Sequence, residues 1–125
     1  MRVISTEKAP AALGPYSQGY VHNGILYSAG QVPINPESGN VDAEDIAGQA
    51  EQSCKNIGAI LEAAGSSFDK VLKTTCFLND MGDFAAFNEV YAKYFTSNPA
   101  RSCVAVKTLP KNVLCEIEVI AVVEE

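Results

Sequence analysis

In this chain of 125 residues, chemistry could come from Arg101, followed two positions on by Cys103, and from Glu116 and Glu118, set in an otherwise apolar run. A guanidinium presents a planar fork of N–H donors that matches a carboxylate bidentately, so Arg101 suits recognition of a small α-substituted acid; it would equally serve a surface ion pair. Strand periodicity puts Arg101 and Cys103 on one face, directed into one cleft. A carboxylate in a partly desolvated cleft is driven toward its neutral form and can hold a water as general base or acid. Glu116 and Glu118 fit that role, or belong to a solvated strand face. A nucleophilic Cys103 would need a neighbour that stabilises thiolate. The only histidine, His22, lies beside the Asn23-Gly24 turn, which favours a packed or hydrogen-bonding thiol. Ser17 has no GxSxG context and no base for a hydrolase triad. Gly30 ends a strand where a missing side chain would let a ligand approach the backbone, or it is a simple turn glycine. Tyr16, in the loop after Gly14-Pro15, offers an amphipathic wall with a hydroxyl, or a plain surface aromatic.

The bulk properties limit the classes open to these residues. A chain of this length fits one compact domain, 1–125, and its composition of 47% apolar and 19% charged residues is that of a globular protein. No 18-residue apolar run suggests a membrane span, and the start MRVISTEKAP lacks the features of a secretory or organellar leader, so the cytoplasm is the expected location. The four cysteines, Cys54, Cys76, Cys103 and Cys115, are widely spaced without CxxC, pointing to reduced thiols and no metal site. A net charge of −6 with scattered basic residues argues against a nucleic-acid partner.

The elements that must position the candidates follow from periodicity and punctuation. Arg2 to Ser5 reads as a short strand. Gly19 to His22 and Ile25 to Ala29 flank Asn23-Gly24, a strong hairpin signal. Asp42, Glu44 and Asp45 suit the start of a long amphipathic helix carrying Ile46, Ala50, Ile57, Leu61 and Ala64, which stops at Gly65. Val71 to Asn79 reads as a strand. Asp83 is expected to cap a second helix whose Phe84, Phe87, Tyr91 and Tyr94 form a core stripe. Strands at Arg101 to Val106 and Val113 to Val123 follow, joined by a turn around Pro110-Lys111-Asn112. The order is ββαβαββ after the N-terminal strand, an α+β fold with two helices covering one sheet face through Leu72/Thr74/Cys76/Leu78 and Ile117/Val119/Ala121. The other face mixes Lys73, Thr75, Phe77 and Asn79 with Glu116, Glu118, Ile120 and Val122, neither a clean core nor a clean surface. Subunits packing sheet to sheet in a closed ring, with polar clefts between them, would account for it.

Taken together, these segments resemble a known family. Pro99-Ala100-Arg101-Ser102-Cys103-Val104, followed by Glu116-Ile117, resembles the C-terminal signature of the reactive-intermediate-deaminase (Rid) proteins. Gly14-Pro15-Tyr16-Ser17-Gln18, Ala29-Gly30-Gln31-Val32-Pro33, Glu62-Ala63-Ala64-Gly65, Lys73-Thr74-Thr75 and Phe84 with Asn88 and Tyr91 resemble its other landmarks in order, closest to the RidA branch. The resemblance implies a chorismate-mutase-like mixed sheet assembled as a homotrimer, with an inner β-barrel, helices outside and sites in the clefts between subunits. It implies hydrolysis of 2-iminobutanoate- or 2-iminopropanoate-like species to 2-oxo acids and ammonia without metal or cofactor. Carried over to matching positions, Arg101 would clamp the substrate carboxylate and Glu116 would orient or deprotonate water. Tyr16, with the Ala29-Gly30 and Cys103 neighbourhoods and Asn88, would complete the pocket. Ala29 stands where RidA relatives often carry serine, and Cys115 replaces a usual aliphatic residue. Two rivals share the fold: a non-catalytic module binding 2-oxo or amino acids, and a redox-responsive chaperone. A ribonuclease activity, attached to some relatives, is disfavoured by the acidic charge and the lack of a basic aromatic groove.

Overall fold

The computed structural model describes residues 1–124. Eight elements run β1 (Arg2–Ile4), β2 (Gly19–His22), β3 (Ile25–Ser28), α1 (Ile46–Ala64), β4 (Val71–Leu78), α2 (Phe84–Tyr94), β5 (Ala100–Ala105) and β6 (Cys115–Val122), in the expected order. The strands form one mixed sheet of order β1-β2-β3-β6-β4-β5, antiparallel throughout except for β4 and β5. That single parallel pair is the one joined by a helix, α2, as a same-sense return of the chain requires.

The Asn23-Gly24 turn closes the first hairpin with positive φ at both residues, 52° and 74°, the backbone a right-twisted two-residue hairpin demands. Helix α1 begins after the acidic run: Asp45 is its cap, accepting from the backbone N–H of Gly48 at 2.9 Å. Gly65, at φ 82°, ends it with its N–H returned to the last turn. The capping role expected of Asp83 is corrected. A tight turn over Met81–Asp83 runs straight into α2, so Asp83 already has helical dihedrals and makes no side-chain cap. Asp80 accepts from Gly82 N at 2.7 Å instead.

Both helices lie on one face of the sheet, over a core that includes Leu26, Cys54, Ile57, Ile60, Leu61, Cys76, Leu78, Phe87, Phe95, Ile117 and Val119. Along β6 burial alternates residue by residue, with Cys115, Ile117, Val119 and Ala121 toward the helices and Glu116, Glu118, Ile120 and Val122 away. Strand β4 departs from the expected alternation at its start. A bulge between Val71 and Lys73 lets Val71 take the core position and turns Leu72 outward, 49% exposed. Tyr20, Tyr27, Val104 and Val3 are likewise exposed on the face the helices leave open.

Three buried polar residues of α1, Gln49, Ser53 and Asn56, recur at helical spacing and engage segments around the end of the sheet. Gln49 accepts from Leu114 N at 2.8 Å, Ser53 meets the Cys115 thiol, and Asn56 donates to the carbonyls of Val32 and Ile34 at 3.0 and 2.9 Å. They fix the loop after Gly30 and the entry to β6.

Candidate active site: two half-sites on opposite faces

The first cluster is built on β6 and on the segment following β3. Glu116 is directly opposite Phe77 in the β4–β6 register, on the open face. The Gly30-Gln31 segment is held beside it by a two-bond bridge, Gln31 N to Ile117 O at 2.7 Å and Ile117 N to Gln31 O at 3.2 Å. This proximity explains the glycine: a Cβ on Gly30 would collide with Glu116 Oε2 and stand 2.7 Å from Cδ. The backbone at Gly30 is thus approached closely by the protein's own carboxylate. Burial, and then the charge of Glu118 two residues on, push the Glu116 carboxyl above the ordinary carboxylate range.

Tyr16 reaches the same cleft, of about 350 Å³, with Ala29, Val32 and Pro110. Its loop is anchored by buried Gln18, whose amide oxygen accepts from Thr6 N at 2.7 Å and whose NH₂ donates to the carbonyls of Thr6, Ala9 and Pro10. Gln18 O also receives the N–H of Ala29 at 2.9 Å, tying the tyrosine loop to the glycine segment. A larger cleft of about 540 Å³ along the N-terminal segment shares Tyr16, but neither Arg101 nor Glu116 lines it.

The second cluster is built on β5 and α2. Arg101 pairs with buried Thr74 and Cys103 with buried Cys76, so both point to the helix side of the sheet. The guanidinium donates from Nη1 to Asn88 Oδ1 at 2.7 Å, and its Cζ lies 4.8 Å from the Tyr91 ring centroid and 5.3 Å from that of Phe84. Arg101 lines a shallow cleft of about 280 Å³ together with Asn88, Tyr91, Ala92, Asn98 and Pro99. Cys103 shares that side but packs half-buried against the core without lining this cleft, which corrects the expectation of one cleft for both; burial raises its pKa, partly offset by Arg101, which leaves it a thiol.

The predicted residues therefore gather as two sets: Tyr16, Ala29, Gly30 and Glu116 in one, Arg101, Asn88 and Cys103 in the other. Within one chain they face opposite sides of the sheet, and Arg101 does not meet Glu116. Val32, Pro110 and Gln18, which the sequence presents only as family landmarks or as part of a turn, also shape the first set. The Gly30-Gln31-Val32-Pro33 run and the Pro110 turn were visible, but their closeness depends on the long-range bridge to Ile117. Among the described residues no group of three or more His, Cys, Asp or Glu side chains could hold a metal ion, and no helix is long and apolar enough to cross a membrane.

Comparison with known proteins places the chain in a family. Residues 6–123 match the family model described as Endoribonuclease L-PSP. The chain is 55% identical over 125 residues to the "Putative regulator AldR" of Lactococcus lactis subsp. lactis, covering 99% of each chain. It is 50% identical over 125 residues to the 2-iminobutanoate/2-iminopropanoate deaminase of Escherichia coli, covering 97% of each. Among solved structures, E. coli TdcF with bound serine superposes with a TM-score of 0.94 at 43% identity, over 99% of this chain and 100% of that one. With matches spanning nearly its whole length, this chain belongs to the Endoribonuclease L-PSP family, as a RidA-like Rid protein.

Proposed function

We propose that this protein is an enzyme acting on imines, one that hydrolyses 2-iminobutanoate- and 2-iminopropanoate-like acids to 2-oxo acids and ammonia. Its sites would be clefts closed between copies of the chain in a cytoplasmic homotrimer. The observation that carries this reading is the complementarity of the two half-sites. One offers a carboxylate with a raised pKa beside a tyrosine, and the other a guanidinium with donors to spare. Neither alone binds and hydrolyses an imino acid. The relatives named as 2-imino acid deaminases at about half identity support the substrate class, and the serine bound to TdcF supports recognition of a small α-substituted carboxylate.

In this reading edge strand β5 of one copy brings Arg101 to the Glu116 face of the next, as in a chorismate-mutase-like trimer whose sheets form an inner barrel. Arg101 takes the substrate carboxylate bidentately and thereby places C2 against Glu116. Glu116 accepts a proton from water as its oxygen bonds to C2, and the C=N π pair moves to nitrogen. The carboxyl then returns the proton to that nitrogen as the C–N bond breaks. Collapse of the hydroxyl to C=O, with loss of its proton, gives the 2-oxo acid and ammonia. A protonated imine is already electrophilic, so these residues suffice without a cofactor. Tyr16, Ala29 and Cys103 wall the pocket, and Asn88 holds the guanidinium.

The test couples a threonine dehydratase to threonine and follows 2-oxobutanoate release with the native protein, Arg101→Ala, Glu116→Gln and an exchanged equal mixture of the two variants. Each variant is expected to be inactive, and the mixture to recover about a quarter of native activity, the statistical share of clefts with both residues intact. No recovery would mean that one chain supplies both groups. No acceleration by the native protein would hand first place to a carboxylate-binding module, the reading favoured by the regulator's name. A thiol-based chaperone is disfavoured, because Cys54, Cys76 and Cys115 are buried and their pKa values are raised, those of Cys76 and Cys115 to about 12.

A further inference from the structure

Tyr91 reads from the sequence as one member of an aromatic core stripe, yet its surroundings connect the core to Arg101. The ring is stacked on Phe95 at 4.3 Å and lies 4.8 Å from the guanidinium carbon. Its hydroxyl shares a 2.8 Å hydrogen bond with Thr74 Oγ1, both residues being buried. Thr74 is itself the β4 residue paired with Arg101 in the sheet. Backbone pairing therefore sets where Arg101 starts, and the side chain of that same partner sets, through Tyr91, the surface on which its far end rests.

A phenylalanine and a valine would fill this interior without any polar group to satisfy. The hydroxyl pair adds a directional restraint: it fixes the ring's depth and tilt, which packing against Phe95 alone does not. With Asn88 occupying one N–H edge of the guanidinium and the Tyr91 and Phe84 rings close to it, the plane of the fork and the direction of its remaining donors are defined.

We propose that Tyr91, anchored through Thr74, is a positioning residue that presets the Arg101 fork for bidentate capture of the substrate carboxylate. The proposal rests on the reading of Arg101 as carboxylate clamp given above. Tyr91 touches no reacting atom, so its loss weakens capture and spares the water chemistry at Glu116.

The experiment measures kcat and KM of the full-length protein for 2-iminobutanoate in Tyr91→Leu, Tyr91→Phe and Thr74→Val. It also follows the Arg101 Nε–H resonance by NMR, assigned by its loss in Arg101→Ala. Tyr91→Leu is expected to raise KM about tenfold with kcat within about twofold of native, and to move the ring-shifted Nε–H signal to the position of a free arginine. Tyr91→Phe, which keeps the ring, should retain most of the signal shift and, like Thr74→Val, raise KM about threefold. A folded Tyr91→Leu protein with native KM and an unmoved resonance overturns the proposal, as does a fall in kcat at constant KM. Should Tyr91→Leu not fold, the other two variants decide: a raised KM in both supports anchoring, and native KM in both overturns it. If the native protein hydrolyses no imine, the deaminase reading falls by itself. The resonance, with 2-oxobutanoate titrated as the carboxylate probe, then decides the positioning role separately.

Discussion

Glu116 stands against the Cα of Gly30 with its pKa raised first by burial and then by Glu118, and both neighbours can be altered without touching the carboxylate. As the proposed general base it would work deprotonated, so the acid limb of kcat/KM is expected above the ordinary carboxylate range. Glu118→Gln removes a like charge that disfavours ionisation, lowers the Glu116 pKa, and is expected to move that limb to lower pH in a pH–rate profile. Gly30→Ala forces the carboxylate aside. Because the colliding atoms end a flexible side chain, the stability cost should stay within about 1 kcal/mol by urea unfolding while kcat falls at least about tenfold. Arg101, Glu116, Gly30 and Tyr16 were legible in the sequence as chemical types. The reason for glycine at 30 was not, since the atom that excludes a Cβ comes from a residue 86 positions away by number.

At the scale of elements, local signals served where local physics decides. The Asn-Gly turn, the Gly65 stop and the alternation of β6 all appear as read. They failed where two short motifs compete for the same residues. Asp83 follows a strand and precedes an aromatic helical stripe, the pattern of a cap, but the turn from Met81 leaves it inside the helical geometry. The two aspartates therefore part company under mutation. Asp45→Ala is expected to cost about 1 kcal/mol in denaturant unfolding, whereas Asp83→Ala stays within about 0.5 kcal/mol. Leu72 failed for a related reason: a bulge costs nothing in composition and is invisible to a period-two reading, yet it moves Leu72 out of the core and Val71 in. The polar residues Gln49, Ser53 and Asn56 were passed over because a helix read for its apolar stripe hides the hydrogen bonds it makes to distant backbone.

For the whole molecule, the open sheet face with exposed Tyr20, Tyr27 and Val104 is what the mixed pattern of β4 and β6 pointed to, and the proposed ring would cover it. Val104 pairs with Phe77, which lies opposite Glu116, so a charge introduced there stands on that face at its β5 edge, two strands from Glu116. Val104→Glu is expected to yield a smaller species by sedimentation, folded by circular dichroism and with hydrolysis lost. A native-sized, active variant would show that this face is not the contact. Which face each candidate occupies could not be read locally, because it depends on the parallel register of β4 with β5 and the antiparallel register of β4 with β6. In the proposed ring, that division of Arg101 from Glu116 would make abundance part of the mechanism. Diluted below its assembly constant, the chain would keep its arginine and still hold carboxylates, but turn none of them over. The same polypeptide would pass from ligand carrier to catalyst by mass action alone, with specific activity rising as more of it is made.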